Sequence, residues 1–181
     1  MVKLYREAYK IFGCNGILFN HESPRRGEDF VTRKITIAVA RIKAEKQDVL
    51  ELGNMYAKRD WGFAGDYVEG MWMMMQKDKA DDYVLSTGET RTVREFVEEA
   101  FNCIGEKIVW SGKGLKEVGT NQKGIIRDKV SKQFYRPTEV NFLHGNYEKI
   151  NKILGWKPTT TFKQLVKKMV ENDIIQNEKV L

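Results

Sequence analysis

Apolar residues recur at three- and four-residue intervals in six stretches of the chain, and each predicts a helix. Leu4, Ala8, Ile11 and Phe12 share one helical face, with Gly13 placed to end the element. Across residues 30–46, Val31, Ile35, Ala38, Val39 and Ile42 form a stripe, while Arg33, Lys34, Arg41 and Lys43 fall mostly off it. Asp66 is expected to cap a helix running through Asp78. The Met71-Trp72-Met73-Met74-Met75 run inside it reads as a buried central helix in which flexible Met fills gaps. Thr92-Val93-Arg94-Glu95 is a capping box for a helix through Ile104. Asn146 is placed to cap residues 147–154, with Gly155 beyond the end, and Thr161-Phe162-Lys163-Gln164 is a second capping box, opening a helix to about Ile175.

Short apolar runs between these helices predict strands at residues 14–19, 49–53, 82–88 and 107–110. Residues 111–133 are rich in Gly, Lys and polar groups and read as a long surface excursion. They contain no Gly-x-x-x-x-Gly-Lys-Ser/Thr phosphate loop. Helices alternating with short strands indicate an α/β protein. A parallel strand needs cover on both faces, so a helix feeding a buried strand at the very start reads as a sequence that opens in mid-fold.

Composition narrows the functional classes. A chain of 181 residues, 41% hydrophobic and 31% charged, fits one soluble domain with a sizeable core. No apolar run approaches the roughly 20 residues of a membrane span, and residues 1–7 lack the apolar region of a secretory signal. The net charge of +6 is spread over mixed Lys/Glu surfaces, which argues against nucleic acid and for a small anionic ligand such as a nucleotide diphosphate. Cys14 and Cys103 lack metal spacing and read as reduced core thiols of a cytoplasmic protein. His21 and His144 are too few for a zinc centre, so no metal is expected.

Four clusters carry the candidate chemistry. Asn20-His21-Glu22-Ser23-Pro24-Arg25-Arg26-Gly27 leaves the first strand, where ligands of open α/β sheets collect. Its adjacent guanidiniums suit phosphate oxygens, because the planar group donates in a fixed fork. Val31 and Lys34 open the next helix, whose first amides are unpaired and whose dipole favours an anion. Lys58-Arg59-Asp60 lies between regular elements, and Arg136-Pro137-Thr138-Glu139 sets a cation and a carboxylate three apart on a stiffened turn. Taken singly, such pairs are commonly surface ion pairs worth under about 1 kcal/mol.

Residues 15–27, Phe30-Val31-Thr32-Arg33-Lys34-Ile35, Arg59-Asp60-Trp61-Gly62 and Tyr135-Arg136-Pro137-Thr138-Glu139-Val140 together resemble the C-terminal half of the GDP-mannose 4,6-dehydratases, which are extended short-chain dehydrogenase/reductase enzymes. The resemblance implies the C-terminal part of an NAD(P)-binding Rossmann fold with a small α/β substrate-binding lobe across residues 1–181, the N-terminal Rossmann half being absent. It implies NADP as cofactor, contacted by His21 and Arg26. It implies GDP-mannose as substrate, held by Asn20, Val31, Lys34, Arg59, Arg136 and Glu139, with Asp60 and Trp61 shaping the turn that aims Arg59.

The family reaction moves a hydride from sugar C4 to NADP, eliminates water across C5 and C6, and returns the hydride to C6. It uses a Tyr-x-x-x-Lys pair, a Thr and a Glu as acid/base groups, and a Gly-rich cofactor turn. None of the seven tyrosines here has Lys four residues on, and no Gly-x-x-Gly-x-x-Gly occurs, so no catalytic residue is assigned. The expected partners are GDP-mannose and a polypeptide carrying the absent half, as a homo-oligomer when complete, with no membrane. A non-catalytic nucleotide-sugar-binding or oligomer-regulating module is the alternative.

Overall fold

The structure is a computed structural model that describes residues 1–135, 138 and 140–179. Its elements in chain order are α1 (Val2–Tyr9), β1 (Asn15–Leu18), β2 (Asn20–Glu22), α2 (Val31–Lys43), β3 (Leu50–Leu52), β4 (Lys58–Arg59), β5 (Trp61–Phe63), α3 (Ala64–Met75), β6 (Asp82–Leu85), β7 (Arg91–Thr92), α4 (Val93–Asn102), β8 (Val109–Ser111), β9 (Val118–Thr120), β10 (Ile126–Val130), α5 (Glu148–Leu154) and α6 (Phe162–Lys179). All six helices and the four strands expected from the hydrophobic pattern are present, and the fold is mixed α/β with parallel pairs. Two compact units are woven from alternating segments. The first comprises residues 1–23, 59–90 and 143–162; the second comprises 24–58, 91–142 and 163–181.

In the first unit, β1 runs parallel to β6 with Asn15 opposite Asp82 and Leu18 opposite Leu85, and β2 runs parallel to β5. The core gathers Tyr67 and Met74 of α3, Tyr83 and Leu85 of β6, Ile150 and Leu154 of α5, and Trp156. The Trp156 indole donates to the Asp66 carbonyl at 2.8 Å, joining the segment after α5 to the first turn of α3. Arg6 of α1 grips Asp82 through two bonds of 2.9 and 3.2 Å, and these hold the carboxyl down to about 2.

Several expectations for this unit are corrected. Gly13 does not end α1; Lys10 does, in the left-handed conformation with φ 56°. Burial of the first strand is not met, since Ile17 on β1 is 54% exposed. Asp66 is not the cap of α3, which begins at Ala64. The Asp66 carboxylate instead accepts from the amides and hydroxyls of Thr159 and Thr160 at 2.8–3.3 Å, so it pins a remote segment. The methionine run is not a buried centre either. Tyr67, Gly70 and Met74 face the core, whereas Val68, Met71, Trp72 (63% exposed) and Met75 form an apolar outer stripe at helical spacing.

The second unit holds a four-stranded sheet in the order β3-β10-β9-β8, parallel between β3 and β10 and antiparallel elsewhere. The expected surface excursion over residues 111–133 is therefore overturned, because β9 and β10 lie within it. Helices α2, α4 and α6 supply this unit's apolar interior through Ile35 and Val39, Phe96 and Phe101, and Val166 and Met169. Arg33 of α2 and Asp173 of α6 form a nearly buried ion pair there.

The capping box of α4 is present: Glu95 N donates to Thr92 Oγ1 at 3.1 Å, and Thr92 N to Glu95 Oε2 at 2.6 Å. Thr92→Ala leaves one helix-end donor unpaired and is expected to cost about 1 kcal/mol in urea unfolding. A variant as stable as the parent would discount the box. Asn146 is not the cap of α5, whose N-cap is Tyr147 without a side-chain cap bond; Asn146, the residue before it, instead accepts from Glu148 N at 2.8 Å. Gly155 closes α5 at φ 75°, a left-handed backbone that glycine adopts without strain. Both cysteines are free thiols and half-buried, and burial pushes the Cys103 thiol up to about 11, away from reactivity. Among the described residues, no helix is long and apolar enough to cross a membrane, and no cluster could hold a metal ion.

Candidate functional site

The opening motif begins as a strand. Residues Asn20, His21 and Glu22 form β2 and pair in register with Trp61, Gly62 and Phe63 of β5. The start of the first sequence cluster and the residues that follow Arg59-Asp60, some forty residues apart, thus become neighbours in the first unit. The approach is close: a Cβ on Gly62 would lie 2.4 Å from the Tyr67 ring and 2.7 Å from its hydroxyl, so only glycine fits under that aromatic. Tyr67 in turn places its ring 5.8 Å from that of His21. His21 Nδ1 lies 2.9 Å from the Phe19 carbonyl, which can only accept. Nδ1 therefore carries a proton, and in the tautomer with the proton there Nε2 is the acceptor.

Asp60, between β4 and β5, organises the turn beside Arg59. Its Oδ1 accepts from the Thr87 amide at 2.8 Å and hydroxyl at 2.6 Å, and its Oδ2 from the amides of Gly88 at 3.0 Å and Gly145 at 3.2 Å. The carboxylate is fully buried and uses four acceptor sites. It fixes the backbone from which the half-buried Arg59 projects.

Arg26, Val31 and Lys34 belong to the second unit. The Arg26 guanidinium sits 3.6 Å above the Phe30 ring, a cation–π contact that holds its plane. Phe30 is also the N-cap of α2, and its side chain makes no cap hydrogen bond. Lys34 lies with Nζ 3.1 Å from the Phe134 ring centre, and burial lowers its pKa, with Glu51 and Asp128 opposing. It opens onto a cleft of about 470 Å³ that Arg41, Gln47, Glu51, Gln133 and Phe134 also line. Arg136 and Glu139 lie outside the described residues.

Three features escaped the sequence reading: the fourfold use of Asp60, the Phe134 platform beneath Lys34, and the burial of Glu22. Only Glu22 left a trace in sequence, a charge set inside a strand-forming run.

The family model for GDP-mannose 4,6 dehydratase matches residues 1–169. The chain belongs to the GDP-mannose 4,6-dehydratase family. Among curated relatives, it is 59% identical over 170 residues to GDP-mannose 4,6 dehydratase 2 of Caenorhabditis elegans, covering 94% of this chain and 44% of that protein. To the human GDP-mannose 4,6 dehydratase it is 53% identical over 171 residues, covering 94% and 46%. The chain thus spans about half the length of these curated relatives. Among solved structures, RMD from Pseudomonas aeruginosa complexed with NADPH superposes with TM-score 0.79 at 18% identity, covering 97% of this chain and 52% of that one. A dTDP-glucose 4,6-dehydratase from Bacillus anthracis in complex with NAD gives TM-score 0.73 at 18% identity, covering 98% and 49%. These likenesses give the GDP-mannose 4,6-dehydratase family chain its fold, that of the Rossmann-type dehydratases and epimerases.

Proposed function

We propose that this chain supplies the nucleotide-sugar half of an NADP-dependent GDP-mannose 4,6-dehydratase, a hydro-lyase forming GDP-4-keto-6-deoxy-mannose. The observation that carries the reading is the high identity to dehydratases across 94% of the chain, which includes the paired β2 and β5 motifs. Asn20, Val31, Lys34, Arg59, Arg136 and Glu139 hold GDP-mannose, with Arg59 and Arg136 on the diphosphate and Glu139 on ribose hydroxyls. The cleft beside Lys34 offers Arg41, Glu51, Gln47 and Gln133 as hydrogen-bonding groups to a polar ligand.

His21 and Arg26 fit a nicotinamide dinucleotide in kind. The first presents an acceptor nitrogen suited to a carboxamide NH₂, and the second a guanidinium suited to phosphate. When bound, NADP supplies the hydride acceptor of the reaction. Residues 1–181 are the C-terminal half of the dehydratase domain in this reading. The outward apolar residues of β1 and α3 are then surfaces for the other half, on the same polypeptide or a separate one, and the complete enzyme is a homo-oligomer.

The purified 181-residue chain with NADP is expected to form no 4-keto-6-deoxy sugar, because it lacks a Tyr-x-x-x-Lys pair. Turnover above a no-protein control would refute that. In a protein completed by co-expression with the other half, Arg136→Ala should weaken GDP-mannose binding about tenfold to a hundredfold, a charge-assisted bond being worth roughly 1.5–3 kcal/mol. Arg26→Ala should leave that affinity nearly unchanged, since Arg26 serves the cofactor. Calorimetric titration decides, and equal losses in both variants, or none at Arg136, would reject the assignment.

A further inference from the structure

Asp128 stands where a β-strand would ordinarily place an apolar residue. On β10 its register partners are Leu50 of β3 and Gly119 of β9, neither of which carries a polar side chain. It is 0% exposed, and neither carboxyl oxygen has a hydrogen-bond partner among the described residues. The next pair along the ladder, Lys129 and Glu51, is satisfied differently: the two form a 2.8 Å ion pair with each other. By strand alternation that pair points to the opposite side of the sheet from Asp128.

Two charged groups bear on Asp128. Glu117, just before β9, is 2% exposed and accepts from Tyr56 Oη at 2.7 Å and from Arg94 at 3.5 Å. These two donors satisfy one of its carboxyl oxygens. Lys34 of α2 is the cation whose field reaches Asp128, and its ammonium is already committed to the Phe134 ring. A bare carboxylate at Asp128 would have to be solvated by nothing.

We propose that Asp128 is kept as a neutral carboxylic acid inside the second unit, and that release of this proton loosens the β10 seam, making the unit a pH-sensitive element. Burial pushes the Asp128 carboxyl up to about 7, Glu117 adds to the shift, and Lys34 opposes it. The ordinary value is 3.8, so between about 4 and about 7 the folded chain binds the proton that the unfolded chain has released. The stabilisation is complete below about 4, falls as pH rises, and is gone above about 7. The carboxylates held low by partners, such as Asp82 and Glu106, lose their contribution on the acid side of this window and leave its upper part to Asp128. The proposal is independent of any nucleotide.

The test uses the 181-residue chain. Denaturant titrations from pH 5 to 8 should show the folding constant of the parent falling about tenfold per pH unit up to pH 7 and levelling above it. Asp128→Asn and Asp128→Val should abolish this slope, and the Val variant should be the more stable protein at pH 8. Infrared spectra of the parent should carry the C=O stretch of a buried carboxylic acid at pH 6 and lose it by pH 8.5, which needs no variant to fold. Lys34→Met should move that titration to higher pH, and Glu117→Gln should move it lower. A parent with no acid band at pH 6, a slope that persists in both Asp128 variants, or shifts of the opposite sign would overturn the proposal.

Discussion

Asp60→Ala is expected to lose at least about 3 kcal/mol of folding stability, because one truncation strands three backbone donors, the amides of Thr87, Gly88 and Gly145, while the Thr87 hydroxyl can turn to the Glu89 carbonyl at 3.2 Å. Each buried donor without an acceptor costs roughly 1–3 kcal/mol, and the void admits water only in part. Asp60→Asn keeps one oxygen but turns an NH₂ toward N–H groups, so its loss should be about half as large. Urea unfolding measured on the three proteins orders them. A loss under about 1 kcal/mol for the alanine variant would mean that other acceptors replace the carboxylate. Because Arg59 is the adjacent residue, weakened diphosphate binding should accompany either change in a completed enzyme.

Removing one partner of the Arg33–Asp173 pair should be nearly as damaging. The side chains are 12% and 3% exposed, so Arg33→Met leaves a carboxylate uncompensated inside the second unit. Breaking such a pair costs about 3–5 kcal/mol, whereas replacing both members with apolar residues is often neutral or better. Arg33→Met and Asp173→Leu should each lower the unfolding midpoint strongly, and the double variant should recover most of the loss. Additive losses in the double variant would show that the two side chains do not act as a pair.

How far the sequence foretold this molecule depended on which residues face inward. Helices α2, α4 and α6 were legible because their buried positions are apolar and recur at helical spacing, as with Ile35, Val39 and Ile42. Strands β9 and β10 were hidden because Gly119 and Asp128 occupy inward positions where Val or Ile would announce a strand. The α3 methionines misled in the opposite direction. An element apolar on all sides signals full burial, yet while Tyr67, Gly70 and Met74 point inward, Val68, Met71, Trp72 and Met75 face outward. The candidate site was found as residues rather than as shape. Asn20, His21 and Arg59 could be named, but sequence alone gave no sign that β2 and β5 lie side by side, or that Asp60 holds the turn between them.

The interleaving of the two units also bears on how the chain acquires its structure. The first unit is drawn from residues 1–23, 59–90 and 143–162, so it lacks an essential piece until the last of these has been synthesised. Its Asp60–Gly145 bond spans 85 residues and its Trp156–Asp66 bond spans 90, closures whose entropy is lost before the contacts repay it. The exposed Trp72 stripe and the open β1 edge are present as bare surface throughout that interval. A ribosome-stalled chain ending before residue 143 should therefore be protease-sensitive across residues 1–23 and 59–90, and the protection should arrive in one step once α5 and Trp156 emerge.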